Sequence, residues 1–182
     1  MINDDERVNW TGPGGTGTGW VCDTCGEKIE KAADGFLEWI SGSRTDANGK
    51  PRLFARDVRL VHHIGVSPLK NTSNDGCYRN DRREMAKDGG ITAQLNLQDA
   101  LGEDGLIELL GLVESEKGAE HEFLVAIQRL HVRGYEDARP FFQQAIEEGV
   151  IEVNRPQDFY NRLQIDAVLE EYEDQEEETV DD

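Results

Sequence analysis

The sequence predicts an α+β fold in which a small β-rich, metal-centred N-terminal module is followed by an acidic α-helical module. Three observations carry this. Cys22 and Cys25 lie in a CxxCG turn, Trp20-Val21-Cys22-Asp23-Thr24-Cys25-Gly26, and His62, His63 and the last cysteine, Cys77, follow downstream. Strand formers and turn residues fill the interval between these groups, whereas apolar residues at helical spacing dominate after residue 90. Charge divides at the same place: residues 1–90 carry 13 basic and 14 acidic groups, and residues 91–182 carry 6 and 24.

Taken in order, residues 1–18 combine an acidic start with the glycine run 12–19 and read as a flexible N-terminus. The run lacks the Lys-Ser/Thr ending of a phosphate loop. Residues 19–90 form the metal-binding module. Trp20 and Val21 lead into the cysteine turn as a strand, Phe36, Leu37, Trp39 and Ile40 supply a second, and Val58 to Ile64 alternate as a third before Gly65. Ser41-Gly42-Ser43 and Asn48-Gly49-Lys50-Pro51 read as turns between strands. A loop from Ser67-Pro68 to Gly76 returns the chain to Cys77, and residues 78–87 suit a short helix ending at Gly89-Gly90.

Residues 91–172 read as helices. Leu106, Leu109, Leu110 and Val113 share one face, as do Phe123, Ile127 and Leu130, then Phe141, Phe142, Ala145 and Ile146, and finally Ile165, Val168, Leu169 and Tyr172. Gly118, Gly134 and Gly149 stand where helices terminate in the left-handed conformation, and Asn154 with Pro156 suits entry to the last helix. Pro140 places the start of its helix near Asp137 rather than Tyr135. Residues 173–182 read as an acidic disordered tail. A helix-turn-helix over residues 123–151 would carry Glu136, Asp137, Glu147 and Glu148 towards phosphate, so a helical bundle is the better reading. His121 and His131 read as surface or capping residues.

The chemistry sits in the cysteines and histidines. Two thiolates two residues apart bind one ion from a single tight turn, and Gly26 leaves room for backbone amides to point at sulfur. A distant His and Cys77 complete four ligands, giving one structural Zn2+ per chain with Cys22, Cys25, His62, His63 and Cys77 as the candidates. His62 and His63 point to opposite faces of a strand, so one of them coordinates. The other is a hydrogen-bonded neighbour or, if catalytic, a general base. A redox CxxC would need its second cysteine to open a helix, and Gly26 argues against that.

The region from about residue 19 to residue 80, with its CxxCG turn, is similar to zinc-ribbon and zinc-finger-like modules. Such modules commonly bind proteins or nucleic acids. The stretch Val61-His62-His63-Ile64, Pro68, Asn71 or Asn74, and Cys77-Tyr78-Arg79-Asn80 also resembles the HNH nucleases, whose zinc-supported members place a CxxC upstream. That resemblance implies His62 as metal ligand, His63 as the base, Asn74 as its orienting residue and Asn80 as a second ligand. It departs from the family in lacking a full second cysteine pair, and in asking one histidine to serve two sites.

Composition bounds the rest. With 37% hydrophobic residues and a net charge of −19, part of the chain is expected to be unpacked. No apolar stretch approaches the roughly 18 residues that span a bilayer, so a cytoplasmic protein without membrane contact is expected, with reduced thiols. Residues 43–87 hold 10 basic and 5 acidic groups, a basic surface through which nucleic acid could bind. The function expected is that of a zinc-binding accessory or regulatory protein that acts through another protein. An HNH-like metal-dependent nuclease and a non-catalytic nucleic-acid-binding module are the alternatives.

Overall fold

Alternation of apolar and polar residues in the first half resolves into two antiparallel sheets in the computed structural model, which describes residues 19–69, 76–79, 90–152 and 159–177. The smaller sheet is a ribbon of β1 (Trp20–Val21) and β2 (Lys28–Ile29), with Trp20 opposite Ile29 and Val21 opposite Lys28. The CxxCG turn joins them. The larger sheet contains β3 (Gly35–Thr45), β4 (Pro51–His62) and β5 (Gly90–Asn96) in the order β4-β3-β5.

Two expectations fail here for a common reason. Ser41-Gly42-Ser43 is not a turn, because β3 is the central strand and runs straight through it: Gly42 pairs with Phe54 on one side and Gly90 on the other. Residues 90–96 are not helical but form the third strand, in which Ile91, Ala93 and Leu95 alternate. Ladder partners far away in sequence outweigh local turn and helix signals. The turn at Asn48-Gly49-Lys50 is present, with Gly49 at φ 77° and the Asp46 carboxylate accepting from the amides of Asn48 and Lys50.

One irregularity interrupts the long hairpin. The register shifts between Glu38 and Ile40, leaving Asp57 at φ 59°. A bulge of this kind favours a residue that tolerates the left-handed region, and aspartate is among the few besides glycine that do.

After β5 the chain is helical: α1 (Leu97–Ala100), α2 (Gly102–Ser115), α3 (Glu120–His131), α4 (Tyr135–Ala138), α5 (Phe142–Glu147) and α6 (Arg162–Glu177). Gly118, Gly134 and Gly149 do follow helices with positive φ. Helix α4 starts at Tyr135, and Pro140 is absorbed by a 3-10 turn over Arg139–Phe141 before α5 begins. Leu37, Trp39 and Leu60 of the sheet share a core with Leu109, Phe123, Ala126 and Leu130 of α2 and α3, and Trp39 meets Phe123 edge to face at 5.3 Å. That core spans both sides of the composition change at residue 90. A second core lies among Tyr135, Phe142, Tyr160, Ile165, Val168 and Tyr172. No helix among the described residues is long and apolar enough to cross a membrane. The expected segments 1–18 and Asn154–Pro156, and most of 78–87, lie outside the described residues.

Candidate metal centre

The β1–β2 ribbon is closed by a knuckle whose geometry follows from its sequence. Cys22 N donates to the Glu27 carbonyl and Gly26 N to the Cys22 carbonyl, both at 2.9 Å. Gly26 sits at φ 78°, a backbone conformation that side chains with a Cβ resist. The turn brings both sulfurs to one side. His62, the last residue of β4, lies next to them, and Cys77 enters from the loop that follows.

The Sγ atoms of Cys22, Cys25 and Cys77 and the ring nitrogen of His62 all lie within 4.8 Å of one another, a Cys3His group that could hold one metal ion. Cys25 Sγ is 3.4 Å and Cys77 Sγ 3.7 Å from His62 Nδ1. Cys22, Cys77 and His62 are buried, and all three cysteines are free thiols. His63 lies outside the group. Its Nδ1 accepts from Gly65 N at 3.3 Å and its ring packs 4.7 Å from Phe36, as strand alternation requires of the residue after His62. Asn74 and Asn80 lie outside the described residues.

Surrounding groups orient the ligands. His62 Nε2 donates to the Lys28 carbonyl at 3.0 Å, which leaves Nδ1 as the unprotonated nitrogen facing the sulfurs. The Ser67 hydroxyl is 2.9 Å from Cys77 Sγ and accepts from Leu69 N at 3.1 Å, so its own hydrogen is free to point at sulfur. Thr24 Oγ1 donates to the Cys77 carbonyl at 2.7 Å and ties the loop to the knuckle.

Electrostatics divide the thiols. Burial pushes Cys22 up, but the amides of Cys25, Thr24 and His62 outweigh it and bring the thiol down to about 7. Cys25 is pushed up to about 12, by burial first and then by the neighbouring Cys22 and Cys77 sulfurs, against the Glu27 amide. Three sulfurs this close resist ionising together, a penalty that a divalent cation reverses.

The knuckle is also anchored to the helices by residues that the sequence reading did not single out. Asp23, between the two cysteines, donates its amide to the Leu60 carbonyl at 2.8 Å, accepts from Leu60 N at 2.7 Å, and accepts from Arg129 Nη1 of α3 at 2.6 Å. Arg129 further donates to the Val21 carbonyl at 2.9 Å and to Glu136 of α4, while Glu136 accepts from Val21 N at 2.9 Å. Arg139 approaches the same carboxylates, at 3.2 Å from Glu136 and 3.7 Å from Asp23. Arg129 stands directly beside the apolar stripe of α3, but a charge there is ordinary for a helix and signals no burial. Serine at position 67 carried no signal either.

The basic region of the sequence is divided between two uses. Arg59 and Arg79 bond Glu38 and Asp57. Arg44, Arg52 and Arg56, with Lys117, line an open groove of about 690 Å³ at the far end of the β3–β4 hairpin, where Arg44 lies over the Phe54 ring and Arg52 and Arg56 also pair with Asp46 and Asp57. Lys70, Arg82, Arg83 and Lys87 lie outside the described residues. His131 Nε2 donates to the Ala100 carbonyl at 2.9 Å, a capping role, and His121 packs edge-on against Phe159. No protein-family model, curated protein or solved structure matches this chain.

Proposed function

We propose that Cys22, Cys25, His62 and Cys77 hold one structural Zn2+ and that the protein is a non-catalytic accessory or regulatory factor that acts by binding another protein. The observation that carries the metal reading is the convergence of three sulfurs and one correctly oriented ring nitrogen within 4.8 Å, from a knuckle, a strand end and a distant loop. Four protein donors satisfy a tetrahedral ion and leave no position for a substrate, which is the pattern of a structural site. The soft sulfur-rich set favours zinc over magnesium or calcium.

The nuclease alternative draws less support. His62 faces the sulfurs, so the ligand that reading needs for an oxygen-bound catalytic metal is already committed. The accessory role rests on the burial of the site beside the core and on the concentration of charge on the helical half.

Metal analysis of the purified protein tests the proposal. One equivalent of zinc is expected, with loss of that equivalent in Cys22→Ser and Cys77→Ser and retention in His63→Ala. Cobalt substitution should give the intense visible bands of a tetrahedral thiolate site. A protein that purifies without zinc and binds cobalt only octahedrally refutes the metal reading. Metal-dependent DNA cleavage that vanishes in His63→Ala at constant zinc content would replace it with the nuclease.

A further inference from the structure

Helix α2 buries one face against α1 and α3 and leaves two large apolar side chains on the other. Gly105 and Leu109 are buried, whereas Ile107 is 68% and Leu110 50% exposed. Positions 107, 110, 111 and 114 share a stripe at helical spacing. Gly111 lies within that stripe, and a Cβ added there would meet nothing within 4 Å, so the helix surface has a notch beside Leu110 and one turn beyond Ile107.

Charge identifies what fits it. Every ionisable residue of α2 is acidic: Glu103, Asp104, Glu108 and Glu114. None of the four has an ion-pair partner among the described residues, in contrast to Glu38, Glu136 and Asp57, which are all paired with arginine. A second copy docked through the same stripe would bring like charges together, and an anionic membrane surface would be repelled in the same way.

We infer that the exposed stripe of α2 is the docking site for a basic amphipathic helix of a partner protein, with Ile107 and Leu110 as its apolar anchors, Gly111 as the point of closest approach and the flanking carboxylates as the polar rim. A helix lying along a helix is the shape that a straight, notched stripe accepts. Cations at both ends and along one edge of the incoming apolar face would meet Glu103 and Glu114 at the two ends of this stripe and Asp104 and Glu108 along one edge. This rests on the reading of the protein as a partner-binding factor and names the surface and the partner's chemistry.

The test uses the full zinc-loaded chain and, as probe, an amphipathic Leu/Lys helical peptide, with a scrambled peptide of the same composition as control. Salt is kept near physiological strength so that unspecific attraction to an acidic protein is screened. The ordered peptide is expected to bind and to protect the amides of residues 102–115 from exchange. Ile107→Ala/Leu110→Ala, which leaves the charge unchanged, should weaken binding about tenfold or more, because two apolar anchors are lost. Glu108→Gln/Glu114→Gln should reduce both affinity and its salt dependence. All four side chains are exposed, so the variants are expected to melt with the wild type. Equal affinity for the Ile107/Leu110 variant, equal binding of the scrambled peptide, or protection confined to other residues overturns the inference. A dimer that dissociates in Ile107→Ala/Leu110→Ala overturns it in favour of a second copy. Zinc is measured on the same samples: failure to bind peptide at one equivalent of zinc sinks this surface alone, and absence of zinc sinks the metal reading alone.

Discussion

Replacing Arg129 by Met removes the more deeply buried of the two cations between the knuckle and the helices while nearly keeping side-chain volume. Arg129 and Glu136 side chains are each 7% exposed and Asp23 21%, so the substitution strands one buried carboxylate and one partly buried carboxylate and leaves the Val21 carbonyl without its donor. Breaking a buried ion pair from one side costs about 3–5 kcal/mol. Arg139 stays within 3.2 Å of Glu136 and offsets part of this, which puts the expected loss near the lower figure, about 3 kcal/mol. With a urea dependence of about 1–3 kcal/mol per molar, the unfolding midpoint should fall by about 1–3 M. The exposed pair Arg52–Asp46 gives the control, since Arg52→Ala is expected to change stability by no more than about 0.5 kcal/mol. Urea unfolding at saturating zinc, followed by far-UV circular dichroism, measures both. A third variant, Arg129→Met/Glu136→Leu, should recover part of the loss but not all, because Val21 N is then left without its acceptor, a residual cost of about 1–3 kcal/mol. If Arg129→Met unfolds at the same urea concentration as Arg52→Ala, the cluster is not the anchor described above.

Two glycines of α2 should respond in opposite directions to alanine. A Cβ at Gly105 would collide with the backbone of Ala100, so Gly105→Ala should destabilise by about 1–3 kcal/mol, whereas the open Gly111→Ala should stabilise by about 0.5–1 kcal/mol; thermal unfolding distinguishes them. Burial holds His131 below its ordinary value, against the opposing pull of the Ala100 carbonyl. The unfolded chain therefore takes up this proton first, so its contribution to stability is complete above about 6.5 and is lost as pH falls below it; His131→Gln should flatten the stability profile in that window. Ser67→Ala should retain one equivalent of zinc but bind it about 10–100-fold more weakly in a competition with a chromogenic chelator. The Glu148 carboxylate pushes Tyr172 up to about 12, so one of the four tyrosines should ionise late in an ultraviolet pH titration, and Glu148→Gln should bring it back towards 10.

What could be read from the sequence followed the range of the interactions concerned. The knuckle was legible because Cys22, Cys25 and Gly26 define their own geometry within five residues, and the helical stripes were legible because their period is local. Strand β5 was not, since Ile91 to Leu95 becomes a strand only by pairing with β3, whose own Ser41-Gly42-Ser43 imitates a turn until β4 and β5 flank it. The division of labour between His62 and His63 followed from strand alternation, but which one faces the sulfurs required the register that pairs His62 with Gly35. Arg129, Glu136 and Ser67 were illegible for a different reason. Arg129 and Glu136 meet Val21 from 108 and 115 residues away and Ser67 meets Cys77 from 10, and nothing about an arginine in a helix announces that its guanidinium is buried against a cysteine knuckle.

The ribbon that carries the cysteines cannot be held by its own ladder, because two strands of two residues each are too short to persist in water. Its order comes from its two ends. At the turn, the Cys3His group gathers the chain. At the base, Arg129 and Glu136 take the carbonyl and amide of Val21 as a further strand would. Asp23 belongs to both ends, standing between the two cysteines and on Arg129. Ordering the ribbon from either end therefore reduces the cost of ordering it from the other, and that dependence must be reciprocal. If Arg129→Met lowers stability by less in zinc-free than in zinc-saturated protein, the difference between the two losses must reappear as weakened zinc affinity, at a factor of ten for every 1.4 kcal/mol. A variant that loses stability equally with and without zinc, and binds zinc as tightly as the wild type, would mean that the metal group and the ion cluster share a hairpin without sharing its order.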